Sequence, residues 1–251
     1  MVCTLRRALI VAVFLSVSCS VPLIYRHACT ARDFLYVRRT GGRTVPEVLR
    51  ECGPGAEARL RPYFDRSGIA YPPCRVALLA FKRENELELW ARQEGAWTHI
   101  RTYPILAASG KAGPKLREGD RQVPEGMYRV VSLNPNSAYH LSIKLDYPNA
   151  FDLEKARLEG RVNPGSDIFI HGNAQSIGCL AMGDAAIEEL FVLAARVGKD
   201  NVEILIAPND LRYAPPVTDP TTQPSWLGPL YESMVNELRR FVHPADVPGH
   251  R

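Results

Sequence analysis

Apolar positions along this chain follow three different rhythms, and each predicts a different kind of element. The first is an uncharged run from Ala8 to Ile24, preceded by Arg6 and Arg7 and followed by Arg26. It is apolar on every face, so it lacks the stripe of a helix packed on a soluble core. A basic start followed by such a run makes an export signal, or an anchor if the segment is retained. The second rhythm is helical. Thr44 to Tyr63 predicts two short amphipathic helices broken at Gly53-Pro54-Gly55. Residues 184 to 197, DAAIEELFVLAARV, predict a longer one with Asp184 as N-cap and Gly198 at its end.

The third rhythm is that of strands. Arg75–Arg83 and Leu87–Gln93 form a predicted hairpin across Glu84-Asn85-Glu86, and the β-branched and aromatic segment WTHIRTYPILAAS follows. Met127–Leu133 and Tyr139–Leu145 form another pair across Asn134-Pro135-Asn136. Alternation in the latter puts His140, Ser142 and Lys144 on one face. Asp167–Gly172 reads as a short buried strand and Asn201–Ala207 as a further one. A loose tail with five prolines between 208 and 224 ends in a short predicted helix, Trp226–Phe241. The organisation is therefore an export segment (1–25), a helical lead-in (26–73), a strand-rich domain (74–207) and a Pro-rich tail (208–251). Strands dominate and helices are peripheral, so the fold class is mainly β or α+β.

Composition narrows the function classes. The 251 residues are 46% hydrophobic and 23% charged, with a formal charge of +4 from 31 basic and 27 acidic side chains. These fractions exclude disorder and a multi-span membrane protein, and so small, scattered an excess excludes a nucleic-acid partner. Any membrane contact runs through the N-terminal segment. Six cysteines are too sparse for a disulfide scaffold.

The chemistry concentrates in Ile170–Asp184, IHGNAQSIGCLAMGD. A buried strand ends at His171-Gly172, and Cys179 follows eight positions later behind Ser176 and Gly178. A nucleophilic thiol needs a base to take its proton, and a strand end plus its following loop can bring 171 and 179 together. Amides of Gly178 and Cys179 are then candidates to hold an oxyanion. The same pair could be metal ligands, although no second His/Cys pair has zinc-like spacing. It could equally be a structural cysteine beside a core histidine. Spacing alone does not choose among these. Tyr147 and Asp152 in YPNAFD could border a cleft or simply build a turn. Lys115, Glu118 and Asp120 read as solvated loop residues, and Glu188 and Glu189 as the exposed helix face.

His171-Gly172, Ser176 and Gly178-Cys179 resemble the HG…S-x-G-C signature of the YkuD-type L,D-transpeptidase catalytic domain family. Gly113–Leu116 and Glu118–Gly126 resemble its T-P-x-G region, with Val123 in place of Thr. Leu133–Ser137 and Tyr147–Asp152 resemble the YafK-like branch, and the likeness runs from about Pro73 to Ala207. The sequence departs from the pattern in a short loop before the cysteine, in Ile177 where many members have His, and in Ala181 where many have Arg.

The resemblance implies a β-sandwich-like catalytic domain outside the cytoplasmic membrane, in the periplasm or cell wall. It implies peptidoglycan stem peptides as substrate, no metal and no cofactor. Cys179 would form a thioester with His171 as base, and Gly172, Ser176 and Gly178 would support the loop and oxyanion. His140, Asn173 and Tyr147 are candidate substrate contacts. Transpeptidation and hydrolysis at diaminopimelate, including release of wall-linked lipoprotein, are both implied by the branch. A non-catalytic wall-binding regulator is the third alternative. Cys19 in LSVSCS resembles an acylation site, with Ser16 where a large aliphatic residue is expected. Cleaved signal, anchor and lipoprotein thus stay open. Sorted by role, Cys29, Cys52 and Cys74 allow at most one disulfide, with Cys52–Cys74 the candidate pair.

Overall fold

The computed structural model describes residues 33, 35, 37–38, 41–219 and 223–242. The expected export segment, with Cys3, Cys19 and also Cys29, lies outside the described residues. Two helices open the described chain, α1 (Val45–Glu51) and α2 (Gly53–Ser67). Thr44 starts α1 with a capping box: its hydroxyl accepts from the Glu47 N–H, and the Glu47 carboxylate accepts from the Thr44 N–H at 2.7 Å. The break falls at Cys52, one residue before the expected site. Gly53 and Pro54 form the first turn of α2, where helix N–H groups have no partner and proline costs nothing. α2 then continues past Tyr63 until Gly68 takes a left-handed conformation (φ 69°).

The strands are β1 (Arg75–Phe81), β2 (Glu86–Arg92), β3 (Thr98–Pro104), β4 (Ala107–Ala108), β5 (Gly126–Asn134), β6 (Ser142–Leu145), β7 (Phe169–His171), β8 (Leu180–Ala181) and β9 (Val202–Ala207). They form one mixed sheet in the order β3-β2-β1-β9-β5-β6-β7-β8-β4. Only β1–β9 and β7–β8 are parallel pairs among these. The long strand β5 serves both halves. Gly126–Arg129 pair with β9, and Val130–Asn134 pair with β6 across a register shift at Val130/Ser132. Such a bulge bends the strand, which turns the second half of the sheet relative to the first. Leu78 of β1, Ile143 of β6 and Leu180 of β8 consequently share one core. The class is α+β, as expected.

β1 is apolar at nearly every position because both of its faces are covered. Val76, Leu78 and Ala80 enter the core beneath α2 and α4 (Asp184–Val197), together with Leu60, Phe64 and Leu190. Ala77, Leu79 and Phe81 enter a second core beneath α5 (Leu227–Leu238). The tail is therefore not loose over residues 223–242. Tyr231, Met234, Leu238 and Phe241 are buried against the sheet. No helix among the described residues is long and apolar enough to cross a membrane.

Several expectations are corrected here. The strand expected over Tyr139–Leu145 begins only at Ser142, because His140 is left-handed (φ 73°) and cannot join the pleat. Gly183 occupies the N-cap of α4, while the Asp184 carboxylate accepts instead from the Asn173 N–H at 2.8 Å. Cys52 and Cys74 are free thiols, so the candidate disulfide is absent. Lys115 is buried against Asp120 at 2.6 Å rather than solvated. Glu189 lies inside the protein, accepting from Arg59 and Arg101 and from the Tyr103 hydroxyl. That carboxylate ties α2, β3 and α4 together.

Candidate active site

β6, β7 and β8 lie side by side, with Ser142 opposite His171 and His171 opposite Ala181. β7 and β8 are parallel neighbours joined by only eight residues, 172–179. Parallel strands ordinarily need a longer crossover, so this loop must turn sharply. It does so through left-handed Asn173 (φ 61°) and Gly178 (φ 108°). Gly172 is required for a different reason: a Cβ there would sit 2.6 Å from the Tyr139 carbonyl oxygen.

The register brings the segments that carry the two expected chemical groups side by side. Cys179 directly precedes β8 and lies two positions before Ala181, the partner of His171. The bend at Cys179 sets it just before the paired residues of β8, beside the strand that ends at His171. His171 is 4% and Cys179 7% exposed. The Cys179 Sγ lies 3.8 Å from the Asp167 carbonyl oxygen, and the Asp167 carboxylate pairs with Lys144 at 2.6 Å.

His171 is held on two sides. Its Nδ1 lies 2.6 Å from the Gly172 carbonyl oxygen, which can only accept, so Nδ1 carries the proton and Nε2 is the basic nitrogen. The Tyr139 ring stacks on the imidazole at 4.6 Å. Burial pushes the His171 pKa below the usual histidine value, against the opposing pull of the Gly172 hydrogen bond. The imidazole is thus neutral at pH 7, which is the form that can take a proton.

The loop before the thiol is tied from outside by Ser109, which the sequence did not single out. The Gly178 N–H donates to Ser109 Oγ at 2.6 Å, and Ser109 Oγ donates to the Arg121 carbonyl at 2.8 Å. The Ser109 N–H donates to Ser176 Oγ at 3.1 Å, and Ser176 Oγ donates to the Cys179 carbonyl at 2.6 Å. Ser176 therefore braces the loop. The Gly178 amide is engaged by Ser109, so it must exchange that partner before it can hold a substrate oxygen. Nothing local marks Ser109: it reaches the loop because β4 pairs with β8, seventy residues on.

Replacing Ser109 by alanine removes an acceptor and a donor from this network, at about 1–3 kcal/mol. The expected result is roughly tenfold faster alkylation of Cys179 by iodoacetamide in a protein that still melts cooperatively, read by peptide mass spectrometry. An unchanged rate would show that Ser109 does not hold the loop.

Most of the remaining candidates are held by other partners. Tyr147 is buried, its hydroxyl donating to the Pro164 carbonyl at 2.8 Å, so it presents no surface to a substrate. Asp152 completes a capping box with Asn149 at the start of α3 (Ala150–Leu158). Asn173 is exposed beside Gly172 and remains available. His140 is paired with Glu188 at 2.9 Å. A groove of about 450 Å³ beside β5, β9 and α5 is lined by neither His171 nor Cys179.

Comparison with known proteins gives this geometry its context. Residues 76–204 match the family model described as L,D-transpeptidase catalytic domain, YkuD. "Putative L,D-transpeptidase YafK" of Escherichia coli K12 is 38% identical over 138 residues, which cover 53% of this chain and 54% of that protein. Its counterpart in Escherichia coli O157:H7 matches to the same extent. The chain thus spans about half the length of the curated relatives it matches. The solved structure of the helical cell shape determining protein Pgp2 from Campylobacter jejuni is 21% identical, with a TM-score of 0.45 and coverage of 62% of this chain and 56% of that one. The family match covers about half of the 251 residues and contains both His171 and Cys179, and the chain belongs to the L,D-transpeptidase catalytic domain (YkuD) family.

Proposed function

We propose that this protein is a cysteine-dependent peptidoglycan enzyme that acts on stem peptides through a thioester at Cys179. The observation that supports the proposal is that the family's domain contains both residues, with buried His171 ending β7 and buried Cys179 just before the neighbouring strand β8. His171 Nε2 takes the thiol proton, and the thiolate attacks a stem-peptide carbonyl to give a tetrahedral oxyanion. The imidazolium then protonates the departing amine, leaving the acyl group on sulfur. An acceptor amine completes transfer, and water completes hydrolysis. Export by the N-terminal segment, so that the domain works in the periplasm or wall, belongs to the same proposal.

Isolated tetrapeptide muropeptides, incubated with the full chain and separated by mass spectrometry, test it. Cross-linked dimers or exchanged terminal residues mean transfer; shortened peptides mean hydrolysis. Neither product, together with no acyl adduct on Cys179, would overturn the enzymatic reading.

The base has its own signature. Because His171 works as the neutral form and burial lowers its pKa, protonation removes activity only at lower pH than for a free imidazole. The acid limb of kcat/KM is expected to fall below about pH 6.5, with activity flat above it. An acid limb centred above pH 7 would exclude His171 as that base.

A further inference from the structure

We infer that Cys52, His140 and Glu188 form a binding site for a thiophilic divalent cation of the zinc class, on the seam between the helical lead-in and the catalytic domain. The Cys52 Sγ, an imidazole nitrogen of His140 and a Glu188 carboxylate oxygen all lie within 4.8 Å of one another. All three side chains are partly sheltered and still reachable from solvent. A tetrahedral zinc with such ligands spans edges of about 3.3–3.8 Å, so closing the site requires movement of little more than about 1 Å. The His140–Glu188 edge, at 2.9 Å, is already in that neighbourhood.

The donor set selects the ion. A thiolate and an imidazole favour zinc, cobalt or copper over magnesium and calcium, which prefer all-oxygen shells. One thiolate and one carboxylate neutralise a dication, and a water can complete the fourth position. Two of the ligands are also positioned by something else. Cys52 is fixed at the joint of α1 and α2, where its N–H donates to the Val48 carbonyl and its carbonyl accepts from the Ala56 N–H. Glu188 offers one oxygen to His140 while Arg59 holds the other at 2.8 Å, which orients the carboxylate from behind. The nearby Arg43 is paired with Glu51, and Arg59 is shared between Glu188 and Glu189.

No motif announces such a site, because its ligands come from positions 52, 140 and 188 and meet only through the fold. Its location is informative. Tyr139, next to His140, stacks on His171, and the helix bearing Glu188 starts five residues after Cys179. A bound ion would fasten the lead-in to both segments that border the thiol and imidazole. This inference does not depend on the enzymatic reading.

Cobalt titration of the full chain carrying Cys179→Ala, which removes the thiol of the candidate active site, tests the site. One equivalent is expected to bind with a thiolate-to-cobalt absorption band, and zinc should displace it. Cys52→Ser should abolish the band and weaken binding at least tenfold. His140→Asn, which keeps a residue tolerant of the left-handed backbone, should weaken it at least tenfold as well. Cys74→Ser should change nothing. Circular dichroism establishes that each variant is folded. A band that survives Cys52→Ser, parental affinity in His140→Asn, or no retention of cobalt or zinc by the folded parent would each overturn the proposal.

Discussion

Replacing Cys179 by alanine is expected to lower turnover of isolated muropeptides by at least about a thousandfold while leaving the protein folded. Removing a covalent nucleophile deletes the acyl-enzyme route itself, and what remains is positioning and general polarity. The fold should survive because the change removes one sulfur atom from a side chain that is 7% exposed, in the bend before a short strand rather than in the densely packed cores. The cavity cost is on the order of 1 kcal/mol. Cys179→Ser sharpens the result: its hydroxyl fits the space, yet its far higher pKa gives the neutral His171 little to activate, so it should be nearly as inactive. The measurement is product formation by mass spectrometry beside a thermal melt of each variant. Activity in Cys179→Ala within tenfold of the parent would remove the thiol from the chemistry.

Glu125→Ala should have the largest effect on stability. Glu125 is 2% exposed, and one carboxylate oxygen accepts from Lys82 Nζ at 2.9 Å and from the Gly113 N–H at 3.1 Å. The other accepts from the Tyr231 hydroxyl at 2.6 Å. Lys82 also donates to the Gly113 and Val123 carbonyls, and burial already pulls its pKa down. Alanine at 125 would strand that ammonium inside the protein and free a buried hydroxyl on α5. Breaking a buried pair from one side costs about 3–5 kcal/mol. For a chain of this size each kcal/mol moves Tm by about 2–4 °C, so a fall of roughly 10 °C is expected. Adding Lys82→Met should recover a substantial part, because the orphaned charge disappears. A loss under about 1 kcal/mol in urea unfolding would mean that the pair is not the buried hub the geometry describes.

The features legible in the sequence share a physical cause. β1, β9 and α4 stand out because burial on broad faces leaves long apolar signatures, as in RVALLAF and VEILIA. The His171–Cys179 segment stood out because a tight loop with obligatory small residues follows a buried strand. What escaped depends on partners far away in the chain. Glu189 looks like an exposed charge until Arg101 arrives across the fold. Ser109 looks like any serine until β4 meets β8. His140 followed the strand alternation in sequence but takes a left-handed backbone, which carries it out of the pleat and toward Glu188. Periodicity reports how much of a residue is covered, and it is silent on what does the covering.

The central place of β9 carries a consequence for the order of folding. β1 to β3 form a local meander, and β5 to β7 form another, so both can assemble from neighbouring segments. They are joined only when residues 202–207 slot between β1 and β5. Until then each meander presents an open, largely apolar edge, the kind that pairs with other chains. Such long-range closure is slow relative to local hairpins. A chain emerging N-terminus first would therefore hold two open half-sheets until residues 202–207 followed, the interval in which a holding chaperone would matter most to its yield.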